Sequence, residues 1–170
     1  MMNSLQKLLI GSAYVVCHYA YSANNIALYF NGSIKASPCQ IEQTDYIIDL
    51  KTINIANIRD NLRSPWVNFN VSLKNCPTSS RQSIMTLTGT PDPTNSTYFI
   101  NRGTATHVAL DLTTGNSHTQ VKNGTQITTP INQQTHSVQI PFSARVAGLN
   151  NGMTAGTFRS HVEFTFTYNS

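Results

Sequence analysis

The stretch NNIALYFNGSIKASPC, from Asn24 to Cys39, decides the fold of this 170-residue chain. Its even positions are mostly apolar and its odd positions mostly polar, and a period of two predicts a β-strand with one apolar face. No tight turn leads from this strand into a hairpin partner. It is therefore either an N-terminal edge strand of its own domain or a strand that pairs with another molecule. The apolar face consists of Ile26, Leu28, Phe30, Gly32, Ile34 and Ala36.

Residues Met1–Ser22 have the features of a secretory signal peptide. Lys7 supplies the positive charge, and the apolar stretch that follows, Leu8–Cys17, is too short to span a bilayer. Ala20 and Ser22 place small residues at the −3 and −1 positions for cleavage after Ser22. Cleavage after Ala23 is the alternative, although it puts a bulky tyrosine at −3.

Two cysteines remain in the mature chain, Cys39 and Cys76, because cleavage also removes Cys17. An exported protein with two cysteines most simply joins them in one disulfide. Closing a loop of about 37 residues would stabilise the fold by roughly 4 kcal/mol on the chain-entropy estimate. The pair lacks the four-ligand spacing of a zinc site and the histidines are dispersed, so no metal site is expected.

Charge and composition exclude several classes of function. Only 11 % of the residues are charged, and the formal net charge is +4, or +3 once Lys7 is removed. The basic residues are scattered and form no run, so neither nucleic-acid nor membrane-surface binding is indicated. The sequence contains no glycine loop for phosphates and no pair of carboxylates placed for acid–base chemistry, so we expect no small-molecule cofactor and no catalysis.

Short alternating runs, separated by turn residues, predict about seven strands and an all-β, immunoglobulin-like sandwich. In the final strand one face is apolar except at Ser160, and the other is polar. Pro141 predicts an edge position or a bulge, since proline cannot donate to a ladder. The range Ile53–Leu62 is either a loop or one helical turn. The predicted strands are Tyr46–Leu50, Trp66–Lys74, Ser83–Thr88, His107–Leu112, a hairpin arm between Gly115-Asn116 and Asn123-Gly124, Val138–Val146, and the run from Gly156 to Tyr168.

Four features occur in a fixed order along the chain. They are Gly32 seven residues before Cys39, Cys76 within Asn75-Cys76-Pro77 after an apolar strand, the late strand Ser137–Gly148, and Gly156 twelve residues before Tyr168. Together they resemble the pilin subunits of chaperone–usher fimbriae, and most closely the minor adaptor subunits of type 1 fimbriae. Tyr168 is third from the end, whereas the tyrosine of that family is usually penultimate.

The resemblance implies an incomplete immunoglobulin-like sandwich at residues 37–170, a pilin fold that lacks its final strand, with a donor-strand extension at residues 23–36. A groove would then stay open beside the C-terminal strand. In such families a periplasmic chaperone lends a strand to this groove, an outer-membrane usher assembles the fibre, and the extension of a neighbouring subunit replaces the chaperone. The groove strand would comprise Gly156, Phe158, Val162, Phe164, Phe166 and Tyr168, and the donor strand Ile26, Leu28, Phe30, Gly32 and Ile34.

The function implied by this resemblance is that of a structural subunit of an adhesive surface fimbria, with neighbouring subunits at both ends and an export route through the periplasm. The main alternative is a closed immunoglobulin-like binding domain, such as a lectin or a tip adhesin, in which Ile26–Ile34 pairs within its own domain. A third reading is a secreted glycoprotein, because Asn31, Asn70, Asn95 and Asn123 each begin an Asn-x-Ser/Thr triplet.

Overall fold

The computed structural model of this chain describes residues 39–43, 46, 50, 56, 58 and 62–170. All of them belong to one compact unit, Lys35–Ser170. The signal peptide predicted at residues 1–22 and the extension at residues 23–36, with its five donor positions, lie outside the described residues. Within the described residues, no helix combines the length and the apolar character that crossing a membrane requires.

Antiparallel strands form two sheets in the described part of the chain. The strands are β1 (Gln40–Ile41), β2 (Val67–Lys74), β3 (Gln82–Gly89), β4 (Phe99–Ile100), β5 (Val108–Thr114), β6 (Thr119–Val121), β7 (Gln126–Pro130), β8 (Val138–Gly148) and β9 (Val162–Asn169). The first sheet has the order β1-β2-β8-β5-β4, with β6 paired to β5, and the second has the order β7-β3-β9. The chain changes sheet after β2, β3, β6, β7 and β8. This arrangement confirms the all-β, immunoglobulin-like fold.

The core lies on the inner faces of the strands and follows their alternation, because successive side chains point to opposite faces. The buried apolar residues include Val71 and Leu73 of β2, Met85 and Leu87 of β3, and Val138, Ile140 and Phe142 of β8. Each large apolar side chain that is fully buried contributes about 1.5–3 kcal/mol relative to an exposed one. The period-two pattern of the sequence therefore identifies most of the core correctly.

Pro141 lies in a central strand, so the predicted edge position is wrong. β8 pairs with β2 on one side and with β5 on the other, and its register shows no bulge at this residue. Pairing with β5 begins only at Phe142, opposite Thr114. The carbonyl of Pro141 faces that side, where it accepts a hydrogen bond from the N–H of Gly115 at 3.1 Å. An N–H at residue 141 would point to the same side, beyond the end of β5. Proline is tolerated there because its missing N–H removes no hydrogen bond between β8 and β5.

Both faces of β5 are buried, which its alternation did not predict. The outward-facing Asp111 is 2 % exposed and forms an ion pair with Arg145 of β8, with Nε and Oδ2 2.8 Å apart. The guanidinium carbon of Arg145 lies 3.8 Å from the centre of the Trp66 ring. The outer face of the first sheet thus carries a charged and aromatic cluster that has no apolar sequence signature.

Some predicted strand boundaries differ from those in the structure. Tyr46 and Leu50, the described ends of one predicted strand, are not in strands, and Ala56 and Ile58 in the ambiguous stretch have a helical backbone. The C-terminal strand begins at Val162 instead of Gly156. Sequence alone did not indicate β1, β4 or β7. Strands β1 and β4 have only two residues each, too few to show a period. Strand β7 has exposed residues at every other position and no buried residue between them.

Residues 154–159 precede β9 and bind the loop at residues 101–106. The N–H of Ala105 donates to the carbonyl of Thr157 at 3.1 Å, and the N–H of Arg102 donates to that of Arg159. A Cβ at Gly156 would collide with the backbone of Thr104 and Ala105. This close backbone contact holds residues 154–159 away from the second sheet and explains why β9 starts late.

Candidate strand-accepting edge

β9 is an edge strand in the described part of the structure. It pairs with β3 along its whole length, from Gln82 opposite Asn169 to Gly89 opposite Val162, and no described strand pairs with its other side. The backbone groups of Leu87 hydrogen-bond on the β7 side, so its neighbours in β3 bond towards β9. The even-numbered residues of β9 therefore direct their N–H and C=O groups to the open edge, because the direction alternates along a strand.

The same even-numbered residues form an apolar stripe, defined here as Val162, Phe164, Phe166 and Tyr168. Each packs against the core but is only half-buried, while the residues between them are exposed. The cross-strand partners of Phe166 and Phe164 in β3 are Met85 and Leu87, which are 0 % and 3 % exposed. The larger side chains are thus the less buried ones, because they have a neighbouring strand on one side only.

Aromatic rings continue the stripe from β9 to the first sheet. Ring centres are 6.4 Å apart between Phe166 and Tyr168 and 5.8 Å between Phe164 and Phe166. Tyr46 lies 6.1 Å from Phe164 and 6.2 Å from Phe69 of β2. Pairs at these separations stabilise by about 0.5–1.5 kcal/mol beyond the area they bury. Tyr46 therefore links the two sheets beside the open edge, a role that no pattern in the sequence indicated.

Burial raises the pKa of the Tyr168 phenol above its ordinary value of 10.0, because the phenolate loses hydration at the end of the stripe. The phenol is therefore neutral at physiological pH. A neutral ring is compatible with an apolar stripe, whereas a phenolate there would be costly.

Four of the six groove residues predicted from the sequence lie together, and the other two lie before β9. Val162, Phe164, Phe166 and Tyr168 lie together in the stripe. Phe158 packs against the core from the segment before β9 and is half-buried. Gly156 is exposed and contacts the loop at residues 104–105, so it lies outside the stripe.

Cys39 and Cys76 form a disulfide, as expected for an exported chain. Both cysteines are 4 % exposed and belong to the main core cluster. The bond joins the first described residue to the loop after β2 and closes a loop with a sequence separation of 37. Among the described residues, no group of three or more histidine, cysteine, aspartate or glutamate side chains could hold a metal ion.

Comparison with known proteins identifies the family. The family model for fimbrial proteins matches residues 28–169. The chain belongs to the fimbrial protein family. It is 26 % identical over 147 residues to Protein FimG of Escherichia coli strain K12, a match that covers 86 % of each chain. The protein is accordingly a structural subunit of a pilus.

Solved structures agree with the fold of this fimbrial protein. The P pilus rod subunit PapA superposes with a TM-score of 0.67 and 18 % identity, covering 78 % of this chain and 100 % of PapA. The P pilus adaptor subunit PapF superposes with a TM-score of 0.54 and 20 % identity, covering 81 % of this chain and 100 % of PapF. At these identities the likeness concerns the fold. Chaperone–usher pilus subunits polymerise with their neighbours, and fimbrial subunits form pili at the cell surface.

Proposed function

We propose that this fimbrial subunit accepts a β-strand from another molecule along the open edge of β9 and donates residues 23–36 to the next subunit. One observation supports the accepting role of β9: the same four residues carry its unpaired backbone groups and its half-buried apolar side chains. An added strand would complete the ladder and place alternate apolar side chains on the stripe. Burying four such side chains contributes roughly 6–12 kcal/mol gross, before ordering costs.

Two molecules would occupy this edge in turn. After removal of residues 1–22, a periplasmic chaperone lends the first strand to the pilin domain at residues 37–170. At the outer-membrane usher, the extension of a neighbouring subunit replaces it, and the fibre reaches the cell surface. The exchange explains why both ends of the sequence carry a strand with one apolar face.

Within the fibre we assign the protein to the minor adaptor class. This rank rests on the resemblance to the adaptors of type 1 fimbriae, while the superpositions include both a rod subunit and an adaptor. A role in assembly requires no reaction, and we propose that the subunit is not an enzyme.

Strand complementation tests the proposal. The exported full chain, purified without a chaperone, should aggregate or unfold without cooperativity, because the edge exposes apolar surface and free backbone groups. Adding a peptide with residues 24–36 of this chain should give a soluble complex that unfolds cooperatively. The same peptide with Phe30→Asp serves as the matched control and should have no effect. Cooperative unfolding of the uncomplemented chain at high temperature would contradict the proposal.

A further inference from the structure

The outer face of the first sheet contains a cavity of ≈ 310 Å³ where β2, β8 and the turn after β5 meet. This volume is at the lower end of the range for small-molecule sites, about 300–1,000 Å³. None of the four stripe residues of β9 lines it. The lining comprises Asn68, Phe69, Asn70, Gly115, Asn116, His118, Pro141, Phe142 and Ser143.

The asparagine side chains of the lining have unused hydrogen-bonding capacity. Asn68 Oδ1 accepts a hydrogen bond from Ser143 Oγ at 2.7 Å. Its amide nitrogen, and the whole side-chain amides of Asn70 and Asn116, have no partner among the described residues. An amide both donates and accepts, and the lining residues include no aspartate, glutamate, lysine or arginine. Such a lining favours a ligand with several neutral groups that also donate and accept.

Neighbouring contacts hold one part of the rim, at His118, in place. His118 stacks on Trp66, with ring centres 4.6 Å apart and planes 10° from parallel, and its Nδ1 lies 3.1 Å from Thr113 Oγ1. The guanidinium of Arg145 lies over the Trp66 ring, and Arg145 also forms an ion pair with the buried Asp111. These contacts fix the imidazole of His118 before a ligand arrives, so ordering this side chain costs less conformational entropy on binding.

We propose that this cavity binds one neutral pyranose unit of a glycan. Pyranose hydroxyls donate and accept hydrogen bonds, as the amides of Asn68, Asn70 and Asn116 do. The C–H face of the sugar would pack against the ring of Pro141 and the imidazole of His118. This site is separate from the open edge of β9, so the subunit would bind sugar while it holds its place in the fibre.

Saturation-transfer NMR on the exported full chain tests this site, with the methyl pyranosides of glucose, galactose, mannose and N-acetylglucosamine as probes. At least one probe should give saturable signals that Asn70→Ala and Asn116→Ala each weaken at least fivefold. Neither amide has an internal partner to lose, so both variants should fold. His118→Asn should also weaken binding, because asparagine lacks the imidazole ring. This variant should fold, since asparagine tolerates the positive φ of 51° at this position. Asn151→Ala, which removes an exposed amide in another turn, is the matched control and should bind normally.

Two results would overturn the proposal. One is the absence of signal from all four pyranosides, or equal signals from the chain and its cavity variants. The other is protection of the cavity in the fibre. If the proposal is right, Asn116→Cys reacts with a maleimide in assembled fibres as readily as in the free subunit. If the cysteine is protected from the maleimide in fibres but not in the free subunit, a neighbouring subunit covers the cavity, and the cavity amides bind protein instead of sugar.

Discussion

The rings of Tyr46 and Phe164 meet edge to face, 6.1 Å apart at 62°, and so connect β9 to the first sheet, where Tyr46 also contacts Phe69. The hydroxyl of Tyr46 accepts a hydrogen bond from the N–H of Ser72 at 3.4 Å. This tyrosine therefore connects the two sheets on the side of the sandwich next to the open edge.

Removing the Tyr46 ring should loosen the contact between the sheets. Tyr46→Ala should destabilise the peptide-complemented subunit by about 2–4 kcal/mol, because it removes a large side chain from two aromatic contacts. Tyr46→Phe keeps the ring, loses only a long hydrogen bond, and should cost less than about 1 kcal/mol. Urea denaturation of the two variants measures the difference. Equal losses would mean that the hydroxyl, and not the ring, is important.

A charge on the apolar stripe should prevent chaperone capture. Phe166→Asp should abolish accumulation in the periplasm, since an unpaired carboxylate would face Met85 and the incoming strand. Thr165→Asp changes the adjacent, exposed residue on the opposite face and is the matched control, with near-normal accumulation. Co-purification of Phe166→Asp with the chaperone at the wild-type level would refute the assignment.

Changes in the predicted donor strand should separate folding from assembly. Phe30→Asp and Gly32→Leu should leave the chaperone complex intact, since residues 23–36 are proposed to bind a neighbour. Both should block incorporation into fibres, the first by charge and the second by a clash, because we expect the neighbour's groove to be narrow opposite Gly32. Chaperone-bound yield and fibre incorporation are measured for each variant. Loss of both together would support a closed sandwich that contains its own N-terminal strand.

Loss of the disulfide should destabilise the subunit by roughly 4 kcal/mol, the loop-closure contribution expected for this separation. The double variant Cys39→Ala with Cys76→Ala should therefore unfold at a lower urea concentration. Reductant should lower the midpoint of the wild type and leave the double variant unchanged. A midpoint for the variant equal to that of the oxidised protein would contradict the estimate.

Alkaline pH should weaken the end of the stripe through Tyr168. Its pKa is raised in the folded state, so the folded protein holds this proton more tightly than the unfolded chain does. The resulting stability is complete below pH 10 and decreases as the pH rises through the folded pKa. Tyr168→Phe should remove this part of the decrease in denaturation midpoint above pH 10. Identical alkaline profiles for the two proteins would show that the phenol does not contribute.

Sequence predicts those parts of the fold that have a long period-two pattern. The strands around Val71, Ile140 and Phe166 are correct because alternation over eight or more residues admits one burial pattern. Tyr46 acts at a crossing between sheets and belongs to no strand, so its importance depends on tertiary distances alone. The Asp111–Arg145 pair is hidden for the same reason, since a charged residue in an alternating run reads as solvent-exposed. The apolar stripe of β9 was visible as a sequence pattern. Its unpaired edge was not, because whether another strand covers it depends on the tertiary structure.

The Cys39–Cys76 bond also has a mechanical consequence. If tension enters the subunit through residues 23–36, it reaches Cys39 first and passes directly to Cys76 through the sulfur atoms. The intervening loop, with a sequence separation of 37, is then shielded from the pull. Fully extended, that loop would release about 120 Å of chain. The disulfide thus removes this loop from the length that one subunit can release under load.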